Sequence, residues 1–170
     1  DAATSWFGDP TPYGATEYGT FTTSSADLGG GVMNTGRVWT VASGAASGAF
    51  DMLAVAMHEI GHALGLSSAN DAFVAGNGDL DVDVTAPRPY AGAAIPITAG
   101  SAHIAISTAL MFPSFPTSVR RYMSEADIVA NAEISKFTLI NLDPVPEPAS
   151  VLALALGAVA VAARRRKKAA

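Results

Sequence analysis

Residues 50–66 have the sequence FDMLAVAMHEIGHALGL, which carries the strongest periodic pattern in the chain. Its apolar residues recur every three to four positions, at Met52/Leu53, Ala56/Met57, Ile60 and Ala63/Leu64. This spacing is typical of an amphipathic helix that buries one apolar stripe. The sequence therefore predicts a helix over 50–66.

A metal-binding pattern lies on this predicted helix. Residues four apart stand one turn above each other, so His58 and His62 can direct their ring nitrogens at one ion. Glu59 lies about 100° further round the helix and can reach a metal-bound water without being a ligand. Zinc lowers the pKa of such a water toward about 7, and a carboxylate can take its proton as it attacks a carbonyl. The pattern predicts peptide hydrolysis by zinc-activated water, with Glu59 as general base.

The alternative is that these three side chains form an ordinary solvated helix face. Small apolar residues surround them, however, and the whole chain contains only 3 histidines. A motif inside the structural context that it requires is more informative than the motif alone. The sequence therefore favours the metal site.

The longer string His58-Glu59-x-x-His62-x-x-Gly65 resembles the metzincin peptidases. In that family the glycine lets the chain leave the helix sharply, and a third zinc ligand follows three residues later. This chain has Ser68 at that position, and a serine hydroxyl is a poor zinc ligand. The short metzincin spacing is therefore interrupted.

A third ligand is still expected, because catalytic zinc normally takes three protein ligands and one water. The resemblance to the leishmanolysin-like branch of the metzincins implies His103, with residues 67–102 as the insertion found in that branch. Met111, within the segment 109–114, resembles the Met-turn methionine that forms an apolar floor beneath the metal. Asp71 as a carboxylate ligand, or no third protein ligand, remain alternatives, and Met111 is also explained by plain core packing.

The resemblance implies an α+β fold, a metzincin-like zincin domain with a small mixed sheet, the active-site helix, a Met-turn and a C-terminal helix. Residues 36–42 predict a strand, which the resemblance makes the edge along which an extended substrate adds; an internal strand is the alternative. A second helix is predicted from Ser124, a good N-cap, to Ser135. Residues 1–31 predict loops and short strands, and residues 67–100 a long connection with one short strand at 79–85.

Composition narrows the chemistry further. The absence of cysteine excludes disulfides, thiolate zinc sites and cysteine nucleophiles. All 15 acidic residues precede the basic cluster at 164–168, and an acidic body argues against nucleic acid as a partner. Calcium at Asp79, Asp81 and Asp83 stays open but unsupported, because Val84 and Tyr90 stand where an EF-hand loop needs glycine and glutamate.

The C-terminal residues combine VPEPAS at 145–150, an apolar run to residue 163 and the basic cluster. This order resembles the PEP-CTERM sorting signal of Gram-negative bacteria. The resemblance implies a catalytic domain at 1–142, truncated at its N-terminus, and a sorting tail at 143–170 with a short transmembrane segment at 149–163. That segment is short against the roughly 20 residues of an average span, but basic residues at its end can snorkel to the interface. A permanent anchor or a core helix is the alternative.

These observations together predict a secreted zinc-dependent endopeptidase that acts on protein or peptide substrates. The tail implies an exosortase-type sorting enzyme as partner, transient membrane association, and final placement in the medium or on the cell surface. The alternative is a catalytically silent surface or matrix protein with a structural zinc site. A non-peptidase zinc hydrolase is a weaker alternative.

Overall fold

The computed structural model describes residues 4–12, 14–76, 78–85 and 88–142. The chain divides into two compact units, Asp1–Ile140 and Asn141–Ala170. All helices and strands of the described residues lie in the first unit. In chain order they are β1 (Trp6–Phe7), β2 (Tyr18–Asp27), β3 (Val32–Ala42), a 3-10 turn (Gly44–Ala46), β4 (Phe50–Asp51), α1 (Met52–Ala63), α2 (Asp71–Gly76), β5 (Asp81–Asp83), β6 (Ala94–Pro96), β7 (Arg120–Tyr122) and α3 (Glu125–Ile134).

The largest sheet of the described residues has three antiparallel strands in the order β2-β3-β7. β3 pairs with β2 along its length and with β7 at residues 37–39. The prediction that residues 36–42 form a substrate-lining edge is therefore wrong, and the internal alternative is correct. β2, which has ten residues, occupies the edge instead. The sequence predicted only short strands before residue 31. It did not predict a strand of this length because the Thr and Ser side chains of β2 are mostly exposed and give no alternating apolar pattern.

Helix α1 begins two residues later than the pattern predicts. Phe50 and Asp51 pair with β1 as a short parallel strand, and the Asp51 carboxylate accepts hydrogen bonds from the amides of Leu53 and Ala54. An aspartate that accepts from the first turn is a helix N-cap. Asp51 therefore fixes the start of the helix that carries the histidines.

The buried face of α1 also differs from the prediction. Its buried residues are Ala54, His58 and Gly61, whereas Met52 is 52% and Ile60 54% exposed. The helix turns its small residues inward because the core approaches it closely at Gly61, where an added Cβ would lie 2.3 Å from Met111 Sδ. Most of the apolar stripe predicted to be buried is exposed, and only Leu53 and Met57 are half-buried.

Helix α3 lies where the sequence predicts it. Ser124 caps it in a capping box with Asp127, and Ser135 is its C-cap. Nearly every residue of the helix is buried, so it forms the centre of the first unit.

The long connection after α1 is more ordered than predicted. It contains α2, which begins where the Asn70 side chain accepts hydrogen bonds from the amides of Ala72 and Phe73. The strand predicted at 79–85 is shorter, with β5 at Asp81–Asp83 paired to β6. Glu133 of α3 accepts from the Thr85 amide at 3.1 Å and pairs with Arg88 at 2.9 Å, which ties the connection to the core.

The predicted sorting tail, 143–170, lies outside the described residues, and with it the apolar segment 149–163 and the basic cluster. Within the described ranges, no helix combines the length and the apolar character that crossing a membrane requires.

Candidate metal centre

Three imidazoles converge at one point of the first unit. The ligand nitrogens of His58, His62 and His103 all lie within 4.8 Å of one another, and the Nε2 atoms of His58 and His62 are 3.1 Å apart. We call these three side chains the histidine group. The structure thus brings together the two residues of the helix motif and the third histidine predicted far along the chain.

The outer nitrogen of each ring has its own partner. His58 Nδ1 lies 2.8 Å from the Leu110 carbonyl oxygen, and His62 Nδ1 lies 2.6 Å from the Leu66 carbonyl oxygen. A carbonyl oxygen only accepts hydrogen bonds, so both Nδ1 atoms carry the hydrogen and both Nε2 atoms present a lone pair to the centre. His103 Nδ1 lies 3.1 Å from the Ser101 hydroxyl.

Burial favours the neutral state of His58 and His103, which is the state that binds a cation. The pKa of His58 is lowered mainly by burial, although its bond to the Leu110 carbonyl acts in the opposite direction. Burial also lowers the pKa of His103, and the neighbouring rings of His62 and His58 lower it further. Neutral imidazoles are the form that ligates metals.

Glu59 stands at the rim of this centre. Its side chain is exposed, and its negative charge raises the pKa of both His58 and His103 against the effect of burial. The carboxylate therefore acts electrostatically on the histidine group while it remains open to solvent.

Met111 lies beneath the helix motif and is fully buried. Its side chain packs against Gly61, where an added Cβ would collide with it. The amides of Leu110 and Met111 donate to the Asp127 carboxylate at 3.0 Å and 2.9 Å, and the Ile104 amide donates to the Met111 carbonyl at 2.9 Å. The methionine segment is thus bonded both to α3 and to the chain that carries His103.

Asp127 and Gly61 are site-supporting residues that the sequence interpretation did not assign. Asp127 is fully buried, and its pKa is raised by that burial, although four donors including Ser124 act to lower it. The signal that pointed to it was its place three residues after the N-cap of α3, where an acidic residue completes a capping box.

A second buried network holds the start of α1. The Asp51 carboxylate accepts from the Tyr18 hydroxyl at 2.8 Å and from Arg120 Nε, and Arg120 also pairs with Asp9 at 2.8 Å. Burial alone would lower the pKa of Arg120, but its hydrogen bonds to the two carboxylates raise it above its ordinary value. The arginine is fully buried, so this ion pair has little competition from water.

The alternative third ligand, Asp71, is not part of the histidine group. It is an exposed residue at the first position of α2, and Ser68 is exposed as well. A separate cluster, which we call the aspartate group, consists of the carboxylates of Asp79, Asp81 and Asp83. Asp79 and Asp83 are exposed, and exposed acidic groups commonly lie together without a cation.

An α+β unit with three histidines beside a buried methionine has the architecture of a metzincin-like zincin. The comparison with protein families agrees: residues 19–75 match the matrixin family, and residues 144–167 match the PEP-CTERM protein-sorting motif. The resemblance to matrixins with a PEP-CTERM signal is therefore confirmed. The matrixin match indicates a metallopeptidase, and it ends before His103 and Met111. No curated protein and no solved structure matches the chain.

Proposed function

We propose that this chain is a secreted zinc-dependent endopeptidase that holds one zinc ion on His58, His62 and His103. The observation that supports this most strongly is the convergence of the three ligand nitrogens within 4.8 Å. Tetrahedral zinc takes imidazole nitrogens at about 2.0–2.1 Å, which corresponds to nitrogen separations close to the 3.1 Å between His58 and His62. The donor set, with its outer nitrogens already engaged, fits zinc.

Bound zinc supplies Lewis acidity, which polarises a substrate carbonyl and acidifies water. Glu59 takes the proton of the attacking water and passes it to the departing amine, as a general base that becomes a general acid. Its position, one residue after His58 and exposed to solvent, leaves it free to do so. Met111 has a structural role as the apolar floor.

The arrangement favours a catalytic over a structural zinc site. Structural sites close the fourth position with a protein ligand, whereas catalytic sites leave it to water or substrate. In the part of the chain that the structure describes, the histidine group has three members. An adjacent carboxylate that is no ligand also suits catalysis, since a structural site has no use for a general base.

The sorting motif supports export as part of the same proposal. An exosortase-type enzyme would recognise residues 144–167, so the peptidase would act on proteins or peptides at the surface of a Gram-negative bacterium or outside it. The association with the membrane would be transient.

The decisive variant for catalysis is Glu59→Gln, which keeps the size of the side chain but removes its basicity. Loss of general base catalysis should lower kcat on a generic protein substrate by about 10²- to 10⁴-fold, while bound zinc stays at the wild-type level. Asp71→Asn is the matched control, because it neutralises an exposed acid outside the histidine group. Unchanged activity in Glu59→Gln would refute the mechanism, and zinc loss in Asp71→Asn would instead support Asp71 as a ligand.

Sorting can be tested separately from catalysis. Glu147→Ala, within the Pro-Glu-Pro motif, should leave peptidase activity unchanged but reduce the share of protein that reaches the cell surface or medium. Cell fractionation with an antibody to the first unit measures this, with Thr138→Ala, at an exposed position before the matched residues, as the control. Equal distribution of the Glu147→Ala and wild-type proteins would count against sorting through the motif.

A further inference from the structure

The three histidines differ in what supports their outer nitrogens. The Nδ1 atoms of His58 and His62 lie 2.8 Å and 2.6 Å from main-chain carbonyl oxygens. The Nδ1 atom of His103 instead lies next to a side-chain hydroxyl, that of Ser101. A carbonyl can only accept a hydrogen bond, whereas a hydroxyl can donate or accept. The tautomer of His103 is therefore set by whatever fixes the direction of the Ser101 hydroxyl.

A second hydroxyl is the partner of Ser101. Thr98 Oγ1 lies 2.7 Å from Ser101 Oγ, and it also lies 3.3 Å and 3.4 Å from the carbonyl oxygens of His103 and Ser101. When the Thr98 proton goes to either carbonyl, Thr98 Oγ1 accepts from Ser101, and Ser101 Oγ accepts from His103 Nδ1. That order leaves the hydrogen on Nδ1 and a lone pair on Nε2, whereas the reverse order, with Thr98 donating to Ser101, would put the hydrogen on Nε2.

The local fold holds these groups in one turn. The Thr98 amide donates to the His103 carbonyl at 2.9 Å, and the His103 amide donates to the Ser101 carbonyl at 3.0 Å. Ile97 and Ile104 form a β-bridge across the base of the turn, and both are buried. The two hydroxyls thus lie on the same rigid turn as the ring that they orient.

We propose that Ser101 and Thr98 form a hydroxyl relay that positions the third zinc ligand, by holding His103 in the tautomer whose Nε2 faces the metal. This inference rests on the proposed function, because it assigns a role to residues behind a proposed ligand. The orientation of the His103 ring therefore depends on side-chain hydroxyl groups, whereas the orientations of the His58 and His62 rings depend on main-chain carbonyl groups. Ser101 and Thr98 are positioning residues and do not touch the metal.

The test measures zinc affinity of the purified chain by competition with a chromophoric chelator. Ser101→Ala should weaken zinc binding by about 10- to 100-fold, the usual effect of losing an outer partner of a ligating histidine. Thr98→Val keeps the shape of the side chain but frees Ser101 to reverse its direction, so it should weaken binding by a smaller factor. Thr98→Ser keeps the hydroxyl and should restore the affinity lost in Thr98→Val. Ser68→Ala, the matched serine control at an exposed position, should bind zinc like the wild type.

Two further readouts separate an effect on the position of His103 from an effect on stability. In nitrogen-15 NMR spectra of the zinc-loaded protein, His103 should show its proton on Nδ1, and Thr98→Val should weaken or broaden that signal. Thermal unfolding of the zinc-free Thr98→Val protein should match that of the wild type.

His103→Ala distinguishes failure of the relay from failure of the proposed function. If His103→Ala loses tight zinc while Ser101→Ala and Thr98→Val bind within twofold of wild type, the relay is refuted and the ligand stands. If His103→Ala also retains tight zinc, the third ligand and the relay are both refuted.

Discussion

The histidine group and the aspartate group each place three ligand side chains within 4.8 Å, yet they are assembled differently. Asp81 and Asp83 share a face of β5 because successive side chains on a strand alternate. Asp79 joins them from the turn just before the strand, where Leu80 has a φ of 70°. The aspartate group is therefore assembled within one short segment of the chain. The histidine group instead joins a helix to a distant turn, and each of its rings has a partner on its outer nitrogen.

Close approach of ligand side chains indicates a metal site only when the groups can stay together without a cation. The pKa of Asp81 is raised by burial and then by the charges of Asp79 and Asp83, so the aspartates repel one another. Neutral imidazoles that converge, each with a hydrogen-bond partner on its outer nitrogen, do not repel one another in this way. We therefore expect substitutions at distant supporting residues to weaken the histidine group, and substitutions within the aspartate group to leave zinc binding unchanged.

The largest effect is expected from Arg120→Met, which removes the cation between Asp51 and Asp9. Breaking a buried ion pair typically costs about 3–5 kcal/mol, because a buried charge is left uncompensated. Urea unfolding should show that loss, and zinc affinity should fall because Asp51 caps α1. Arg37→Met, at an exposed position of β3, is the control and should cost less than about 0.5 kcal/mol. Equal stability of the two variants would contradict the importance of the network.

A smaller effect is expected from Gly61→Ala, which tests the contact between α1 and Met111. The new Cβ would lie 2.3 Å from Met111 Sδ in a fully buried setting. Crowding of this kind costs about 1–3 kcal/mol, and the better helix propensity of alanine, worth about 1 kcal/mol, offsets only part of it.

Gly76→Ala is the control for this substitution, since nothing lies within 4 Å of its Cβ position. Thermal unfolding should show Gly61→Ala as the less stable variant, with weaker zinc binding. A Gly61→Ala protein as stable as Gly76→Ala would mean that the methionine does not press on the helix.

The contacts that hold the histidine group in place also show how much of the fold and of the site could be predicted from the sequence. The local motif predicted the two histidines of α1 that belong to the histidine group, and the capping pattern at Ser124 predicted α3, because both depend on near neighbours. His103 and Met111 came from the family resemblance. The buried face of α1 and the internal place of β3 were predicted wrongly, since they depend on which distant segment packs against them. The start of α1 was a local error, because Asp51 has the side chain of an N-cap.

The smallest effect is expected from Asp81→Asn in the aspartate group. The pKa of Asp81 in the folded protein is raised above its ordinary value of 3.8. The folded protein therefore holds this proton more tightly than the unfolded chain does. Its contribution to stability is therefore present below that value and is lost as the pH rises through the folded pKa. Asp81→Asn should raise the free energy of unfolding at pH 7 by less than about 0.5 kcal/mol and flatten its fall over the acid range.

The same variant should bind zinc with unchanged affinity, as measured by chelator competition. A marked loss of zinc or of another stoichiometric cation in Asp81→Asn would overturn the contrast between the two groups, since it would give the aspartates a ligand role.

X-ray absorption at the zinc edge of the loaded protein measures how many histidines bind the zinc ion. We expect three imidazole nitrogens and one oxygen ligand at about 2.0–2.1 Å in the wild type, with one imidazole fewer in His103→Ala. Two imidazoles in the wild type, or an identical spectrum for His103→Ala, would contradict the three-histidine site.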